Sequence, residues 1–321
     1  MKFRRLGRTN LQVSEIGFGA WAIGGPVDIA GKPFGWGPAD ETQTTTAIRR
    51  ALDLGVNFFD TADVYGLGRS EEILGRVLKG RDVIIATKAG NIRTESGQTG
   101  KNFRKDYLLG AVEGSLKRLR RETLDLFQLH NPSEEELRRG DCLEALEQIR
   151  QTGKVRYTGV SINNPEEGLA VLKGPLPVDS LQLVYNLLKT HMAERVLPLA
   201  LEEDVGIIAR VPFQYGLLTG KFERDVSFRK DDHRSWTLAP ELIERGIGLL
   251  EALSPHLEQH NLTAAQHALK FVLAHPAVSL TIPGARTPDQ VESNVSAGDG
   301  APLPSSLLRA TAEAQRLEAP S

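Results

Sequence analysis

Eight short runs rich in Val, Ile, Leu and Phe, at 16–19, 57–60, 83–89, 124–130, 155–162, 180–186, 206–213 and 279–284, alternate with longer segments of helical period at 41–54, 70–78, 105–121, 134–151, 165–172, 193–204, 264–274 and 288–297. Alternation of this kind is the mark of repeated βα units around a parallel sheet. Eight units in 321 residues suit a closed (β/α)8 barrel, the TIM barrel of the α/β class, better than an open sheet. The prediction is one domain over 1–321. Ahead of the first run, Phe3-Arg4-Arg5-Leu6, a turn over Gly7-Arg8-Thr9-Asn10 and Leu11-Gln12-Val13 indicate an N-terminal β-hairpin that plugs the barrel floor. Extra helices are expected at 238–259, in the seventh connection, and at 305–317.

Composition narrows the class by exclusion. Lys plus Arg (39) and Asp plus Glu (41) give a net charge of −2, so no global field favours nucleic acid or an acidic membrane. Nowhere do about 18 apolar residues run together, so no membrane span is expected. The basic start, Met1-Lys2-Phe3-Arg4-Arg5, lacks the apolar run of a signal peptide. The single cysteine, Cys142, allows no internal disulfide and no cysteine-based metal site. A soluble, cytoplasmic protein is the expectation, with the oligomeric state left open.

In a parallel barrel every loop that follows a strand opens on one rim, and chemistry collects there. The second run ends on Asp60, with Tyr65 in the loop beyond it; the third carries Lys88, and the fourth ends on His130. Singly, each has an ordinary reading as an N-cap, half-buried packing, a solvated strand end or a satisfied rim imidazole. At strand ends separated by βα units, the set is hard to explain as packing. A phenol with a pKa of about 10 serves as acid or base at neutral pH only when a neighbour tunes it. Lys88 would favour the phenolate, Asp60 would keep Lys88 charged and oriented, and His130 would donate to a carbonyl oxygen between it and Tyr65. Such a site protonates a carbonyl oxygen while hydride reaches the carbon, and because side chains cannot supply hydride a cofactor is required.

Phe59-Asp60-Thr61-Ala62-Asp63-Val64-Tyr65-Gly66, followed by Ser70-Glu71-Glu72-Ile73-Leu74-Gly75 and by Thr87-Lys88 and Leu129-His130, resembles the signature of the aldo-keto reductases. The likeness runs from Gly7 to about Ala297. It implies NADPH-dependent, reversible reduction of an aldehyde or ketone, with Tyr65 as general acid/base, Lys88 and Asp60 as its tuners and His130 as the partner that orients substrate. It also implies NADP(H) extended across the barrel mouth, in place of the G-x-G-x-x-G unit that the chain lacks. At the nicotinamide end the resemblance points to Ser161, Asn163, Gln182, Arg210 and Pro212. Gly216, Leu217, Thr219 and Lys221 would follow the pyrophosphate. Gly284, Arg286, Gln290 and Asn294 would take the adenosine end, where a guanidinium beside a helix start suits a 2′-phosphate. The chain departs from the pattern at Ile162, between Ser161 and Asn163, at Ser293, where an acid is common, and at Arg210, where many relatives stack an aromatic ring.

Two long loops, 24–40 with Phe34 and Trp36 and 222–236 ending on Trp236, fall on the same rim. With Trp21, Tyr107 and Asn131 they offer walls for a small-molecule carbonyl substrate. Two other readings compete. One is a non-catalytic or regulatory NADP-binding barrel subunit, since fold alone does not settle function. The other is a metal-dependent hydrolase, disfavoured because the seven histidines form no H-x-H or H-E-x-x-H pair.

Overall fold

The computed structural model describes residues 1–29, 32–35, 37–94 and 96–318. Strands β1 (Phe3–Arg5) and β2 (Gln12–Ser14) form the N-terminal hairpin. Strand β3 (Phe18–Gly19) leads to a second hairpin, β4 (Val27–Ile29) with β5 (Lys32–Phe34), and to α1 (Glu41–Asp53). Then come β6 (Phe58–Asp60) with α2 (Arg69–Val77), and β7 (Ile84–Ala89) with a third hairpin, β8 (Asn91–Arg93) and β9 (Thr99–Lys101), before α3 (Lys105–Leu119). Strand β10 (Leu124–His130) precedes α4 (Glu134–Arg139) and α5 (Asp141–Gln151), β11 (Val155–Ser161) precedes α6 (Pro165–Leu172), and β12 (Ser180–Val184) precedes α7 (Val196–Glu202). Strand β13 (Gly206–Arg210) is followed by α8 (Arg234–Thr237), α9 (Pro240–Gln259) and α10 (Ala264–Ala274), and β14 (Val278–Thr281) by α11 (Pro288–Val295) and α12 (Ser305–Leu317).

The main sheet has the order β14-β13-β12-β11-β10-β7-β6-β3, parallel throughout. It closes through parallel bridges between Ile16 and Thr281 and between Gly19 and Gly284, with the Gly17 N–H on the Thr281 carbonyl at 2.8 Å. This is the (β/α)8 barrel that the eight runs predict.

Residues two apart on a strand share a face. Phe58, Ile84, Leu126, Ile208 and Leu280 point inward and cluster with Leu6, Leu11 and Val13 of the N-terminal hairpin segment, so the floor plug is present. Further along the same inward faces come Asp60, Lys88, Gln128, His130 and Arg210. The opposite parity, including Phe59, Ile85, Phe127, Val160, Leu181 and Ile207, packs outward against the helices. The extra helices α9 and α12 are also present, joined through Leu249, Leu253, Leu257, Leu307 and Ala310.

Two features differ from the sequence expectation. The helix expected over 134–151 is broken, because Gly140 takes φ 87 and ends α4 in a left-handed turn before α5 begins. The second hairpin lies in the stretch 24–40 read as a loop, and the third lies between the run 83–89 and the helix 105–121, where no element was expected; the strands of each are three residues long and pair with each other.

Candidate active site

Lys88 is fully buried, and its ammonium donates to Asp60 Oδ1 at 2.6 Å and to the Thr61 carbonyl at 2.6 Å. The other oxygen of Asp60 accepts from Gln182 Nε2 at 2.7 Å and Gln128 Nε2 at 3.5 Å. A buried ion pair is tolerated when its remaining hydrogen-bonding sites are satisfied, and the two amides satisfy them here. Burial works against the charge on Lys88, but Asp60, with Tyr65 next, outweighs it and raises the pKa. The ammonium therefore stays protonated at neutral pH.

Tyr65 lies over this pair, with Lys88 Nζ 5.1 Å from its ring centroid. Its turn is held from several sides. The Thr61 and Asp63 N–H groups donate to the Ala86 and Lys88 carbonyls at 2.9 and 3.0 Å. Ser70 Oγ gives its proton to the Ala20 carbonyl at 2.9 Å, so the 2.8 Å contact between Thr61 Oγ1 and Ser70 Oγ has Thr61 as donor. Gly66, at φ 61, sits where a Cβ would meet the Gly24 carbonyl oxygen at 2.2 Å. Only glycine lets the tyrosine turn touch the loop after β3. Behind the barrel wall, the buried Glu71 accepts from Thr87 Oγ1 at 2.5 Å and from Arg118 Nε at 2.6 Å. Thr87 precedes Lys88, so Glu71 braces the strand that carries the lysine.

His130 faces Tyr65 edge-on, with ring centroids 5.8 Å apart. Burial, together with the cations Lys88, Arg210 and Lys101, holds its pKa well below the ordinary histidine value, so the imidazole is neutral. Its Nδ1 is buried and has no hydrogen-bond partner among the described residues. For Tyr65, burial raises the pKa and outweighs the downward pull of Lys88 and Arg210. Lys88 thus acts in the expected direction without deciding the result, and the phenol is protonated at neutral pH. A protonated phenol and a neutral imidazole can both donate to one oxygen placed between them.

Arg210 reaches the same space from β13. Its Nη2 donates to the Asn163 Oδ1 at 2.9 Å and to the Ile162 carbonyl at 3.2 Å, while Nε is buried without a hydrogen-bond partner. Just beyond it, Val211, Gln214 and Tyr215 take φ of 57, 44 and 59, a region that costs L-residues energy, a β-branched one most. The fully buried Asn186 holds this segment, donating to the Val211 carbonyl at 2.9 Å and to Gln214 Oε1 at 3.0 Å.

The other residues singled out from the sequence are distributed around the rim. Ser161 Oγ donates to Asn131 Oδ1 at 2.8 Å, the Asn163 N–H to Glu167 at 2.6 Å, and the Gln182 amide is engaged with Asp60. Pro212 is buried in the strained segment. Gly216 opens a 3-10 turn containing Leu217 and Thr219. The Leu217 side chain is turned into an apolar cluster with Leu238, Ile243 and Ile247, and Thr219 Oγ1 donates to the Gly216 carbonyl at 2.7 Å; Lys221 is exposed. Gly284 bridges to Gly19 at the barrel closure. The Arg286 N–H donates to Gln290 Oε1 at 2.8 Å at the start of α11, and Asn294 is buried on that helix.

The long loops meet each other beside Trp21 and Tyr215. The His233 N–H donates to the Gly35 carbonyl at 3.1 Å, and the His233 ring lies 4.8 Å from Trp21, 4.3 Å from Trp236, 5.6 Å from Phe34 and 5.5 Å from Tyr215. Trp36, named as a wall residue from the sequence, lies outside the described residues. Tyr107 donates to Asp63 Oδ2 at 3.4 Å. Sequence reasoning missed Gln128, Glu71 and Asn186 as parts of the site, and Lys101 on the rim beside it. Gln128 had a signal, being polar and two residues before His130 in an apolar run; Lys101 had none.

Residues 15–315 match the Aldo/keto reductase family. Over 316 residues the chain is 31% identical to the uncharacterized oxidoreductase YqkF of Bacillus subtilis, covering 97% of this chain and 95% of that protein. Over 302 residues it is 32% identical to the aldo-keto reductase YhdN of the same species, covering 91% and 87%. The structure is similar to that of the glycerol dehydrogenase AKR11B4 from Gluconobacter oxydans, with a TM-score of 0.85 at 31% identity over 100% of this chain and 97% of that one. Fold and relatives together define a (β/α)8 barrel of the oxidoreductase class. The chain belongs to the aldo/keto reductase family.

Proposed function

We propose that the protein reversibly reduces an aldehyde or ketone to the alcohol with NADPH. The observation that carries this reading is the meeting of a protonated phenol, a neutral imidazole and a buried Lys88–Asp60 pair at one point of the rim. Tyr65 gives its proton to the carbonyl oxygen, and an N–H of His130 donates to the same oxygen and sets its angle. The phenolate left behind faces Lys88 and Arg210, whose charges count for more away from water. In the reverse direction that phenolate takes the alcohol proton. A reduced nicotinamide, when bound, supplies the hydride that no side chain can.

The residues present fit such a cofactor. Ser161, Asn163, Gln182, Arg210 and Pro212 are assigned to the nicotinamide end, where the buried Arg210 Nε has a donor to give. Gly216, Leu217, Thr219 and Lys221 are assigned to the pyrophosphate; Leu217 serves through its backbone, its side chain being turned into the core. Gly284, Arg286, Gln290 and Asn294 take the adenosine end. Arg286 is partly buried, and burial and the like charge of Arg234 lower its pKa, a setting that a bound phosphate relieves. Against a purely regulatory barrel stands the meeting of Tyr65, His130, Lys88 and Asp60 at one point, which nucleotide binding alone does not require.

Fluorescence titration with NADPH and NADH in parallel tests the reading. NADPH should bind more tightly, and Arg286→Ala should weaken NADPH by about tenfold or more while leaving NADH nearly unchanged, the loss of a charge-assisted contact. Binding of neither nucleotide would remove the hydride source and the reading with it.

A further inference from the structure

The rim around His130 carries more positive charge than proton delivery needs. The ammonium of Lys101, at the end of β9, donates to the carbonyl of Asn131, the residue after His130. Asn131 in turn is tied to the end of β11, accepting from Ser161 Oγ at 2.8 Å and donating its N–H to the Ser161 carbonyl at 3.1 Å. The next carbonyl, of Ile162, accepts from Arg210. These contacts form an arc around His130 with a cation at each end.

Both cations hydrogen-bond only to neutral oxygens among the described residues, whereas arginines elsewhere in the barrel, such as Arg118 and Arg195, are ion-paired. The nearby carboxylates neutralise the arc only in part. Asp60 is matched by Lys88. Glu167, held by the neutral Asn163 N–H at 2.6 Å and Asn164 Nδ2 at 3.0 Å, keeps its charge and offsets some of that on Arg210, while Lys101 has no carboxylate partner among the described residues. A neutral carbonyl compound would gain nothing from the remaining charge. An anion would gain from both ends of the arc, and Lys101, exposed on a flexible stem, can leave a carbonyl oxygen for it at little cost.

We propose that the preferred substrates are carbonyl compounds bearing an anionic group, carboxylate or phosphate, and that Lys101 selects for that group. The inference rests on the reductase reading above and names its substrate class. Arg210 contributes charge from the side already assigned to the cofactor; among the described residues Lys101 bonds only the Asn131 carbonyl and acts on His130 only as one of three cations, so its replacement is read in KM for the charged substrate.

Matched pairs of substrates test this: glyceraldehyde 3-phosphate against glyceraldehyde, and succinic semialdehyde against butanal, each followed by NADPH oxidation. The anionic member of at least one pair should show a kcat/KM higher by about tenfold or more at low ionic strength, with the advantage shrinking as salt is added. Lys101→Gln should raise KM for the anionic member about fivefold, leave its kcat within about twofold and leave the neutral member unaffected, while Lys101→Arg restores the preference. Preference for only one of the two anions identifies which is recognised. Equal use of charged and neutral members, or an equal loss for both in Lys101→Gln, overturns the assignment while leaving the reductase reading intact. Turnover of none of the four aldehydes overturns the proposed substrate class, and the reductase reading is then decided by the nucleotide titration.

Discussion

On β6 the inward side chain of Phe58 packs against the floor plug, and the next inward side chain, Asp60, holds a buried ammonium. On β10 the same step leads from Leu126 to Gln128 and His130, and on β13 from Ile208 to Arg210. Floor and rim share one geometry, with inward positions alternating along parallel strands, yet they are held by different physics. At the floor, apolar area leaves water and needs no specific partner. At the rim each buried polar group must be matched, and Asp60 is matched by one ammonium and two amides. The floor therefore contributes stability, while the rim holds its polar groups at a desolvation cost that their partners offset.

Three experiments can break or sharpen that contrast. Lys88→Met should lower turnover by about 10³-fold, the scale of lost proton-transfer and electrostatic catalysis, while weakening NADPH binding far less. It should also destabilise the fold, because Asp60 is left buried without its counter-ion. The double variant Asp60→Asn with Lys88→Met should recover stability to the original level or above and remain inactive. Thermal unfolding beside single-turnover rates checks both halves, and a double variant as unstable as the single one would make the rim pair structural after all.

At the floor, Leu126→Ala should cost about 2–5 kcal/mol of stability, the usual penalty for a core leucine, with kcat changed little at temperatures where the protein stays folded. A large loss of kcat at full folding would show that floor and rim are coupled.

The smallest effect concerns protons. Burial and the neighbouring Glu71 push the Asp63 carboxyl, two residues before Tyr65, up to about 7. Between the unfolded value of about 4 and that point the folded chain holds a proton that the unfolded chain has released, so Asp63 makes stability fall as pH rises. His267 acts oppositely. It is buried between α10 and α12 against Thr311 Oγ1 at 3.0 Å, and burial lowers its pKa to about 4. The unfolded chain therefore binds the extra proton below the usual value of about 6.5, and stability falls as pH drops. The two slopes oppose each other over the same window. Asp63→Asn should uncover the histidine slope, to which His267 contributes a loss of about 2 kcal/mol between pH 7 and pH 5 and the buried His130 adds in the same direction, and His267→Gln should make that slope shallower without abolishing it. Denaturant melts at the two pH values decide it; an Asp63→Asn protein as stable at pH 5 as at pH 7 would contradict the assignment of His267.

Much of this architecture is legible in the amino-acid order. Barrel strands such as β7 and β10 are buried on both faces, so they stand out as apolar runs, and the pairing of Tyr65 with Lys88 and His130 follows from where those runs end. The break at Gly140 was not legible, because Glu134–Arg139 and Asp141–Gln151 share one helical period and a lone glycine is tolerated within a helix. Nor were the short hairpins, whose strands are too brief to show alternation.

The sequence alone determined which side chains lie at the ends of which strands, because hydrophobic periodicity is local and survives without knowledge of neighbours. It could not determine which of those side chains touch. Gln182 meets Asp60 across 122 residues of chain, and Lys101 meets the carbonyl beside His130 only because a hairpin folds back over the rim. Such contacts depend on strand register and on barrel closure, which one residue of slippage would change completely. Register is settled by the packing of all eight strands at once, and so the partners of Asp60, the neutral state of His130 and the cationic arc around it were decided by the tertiary structure.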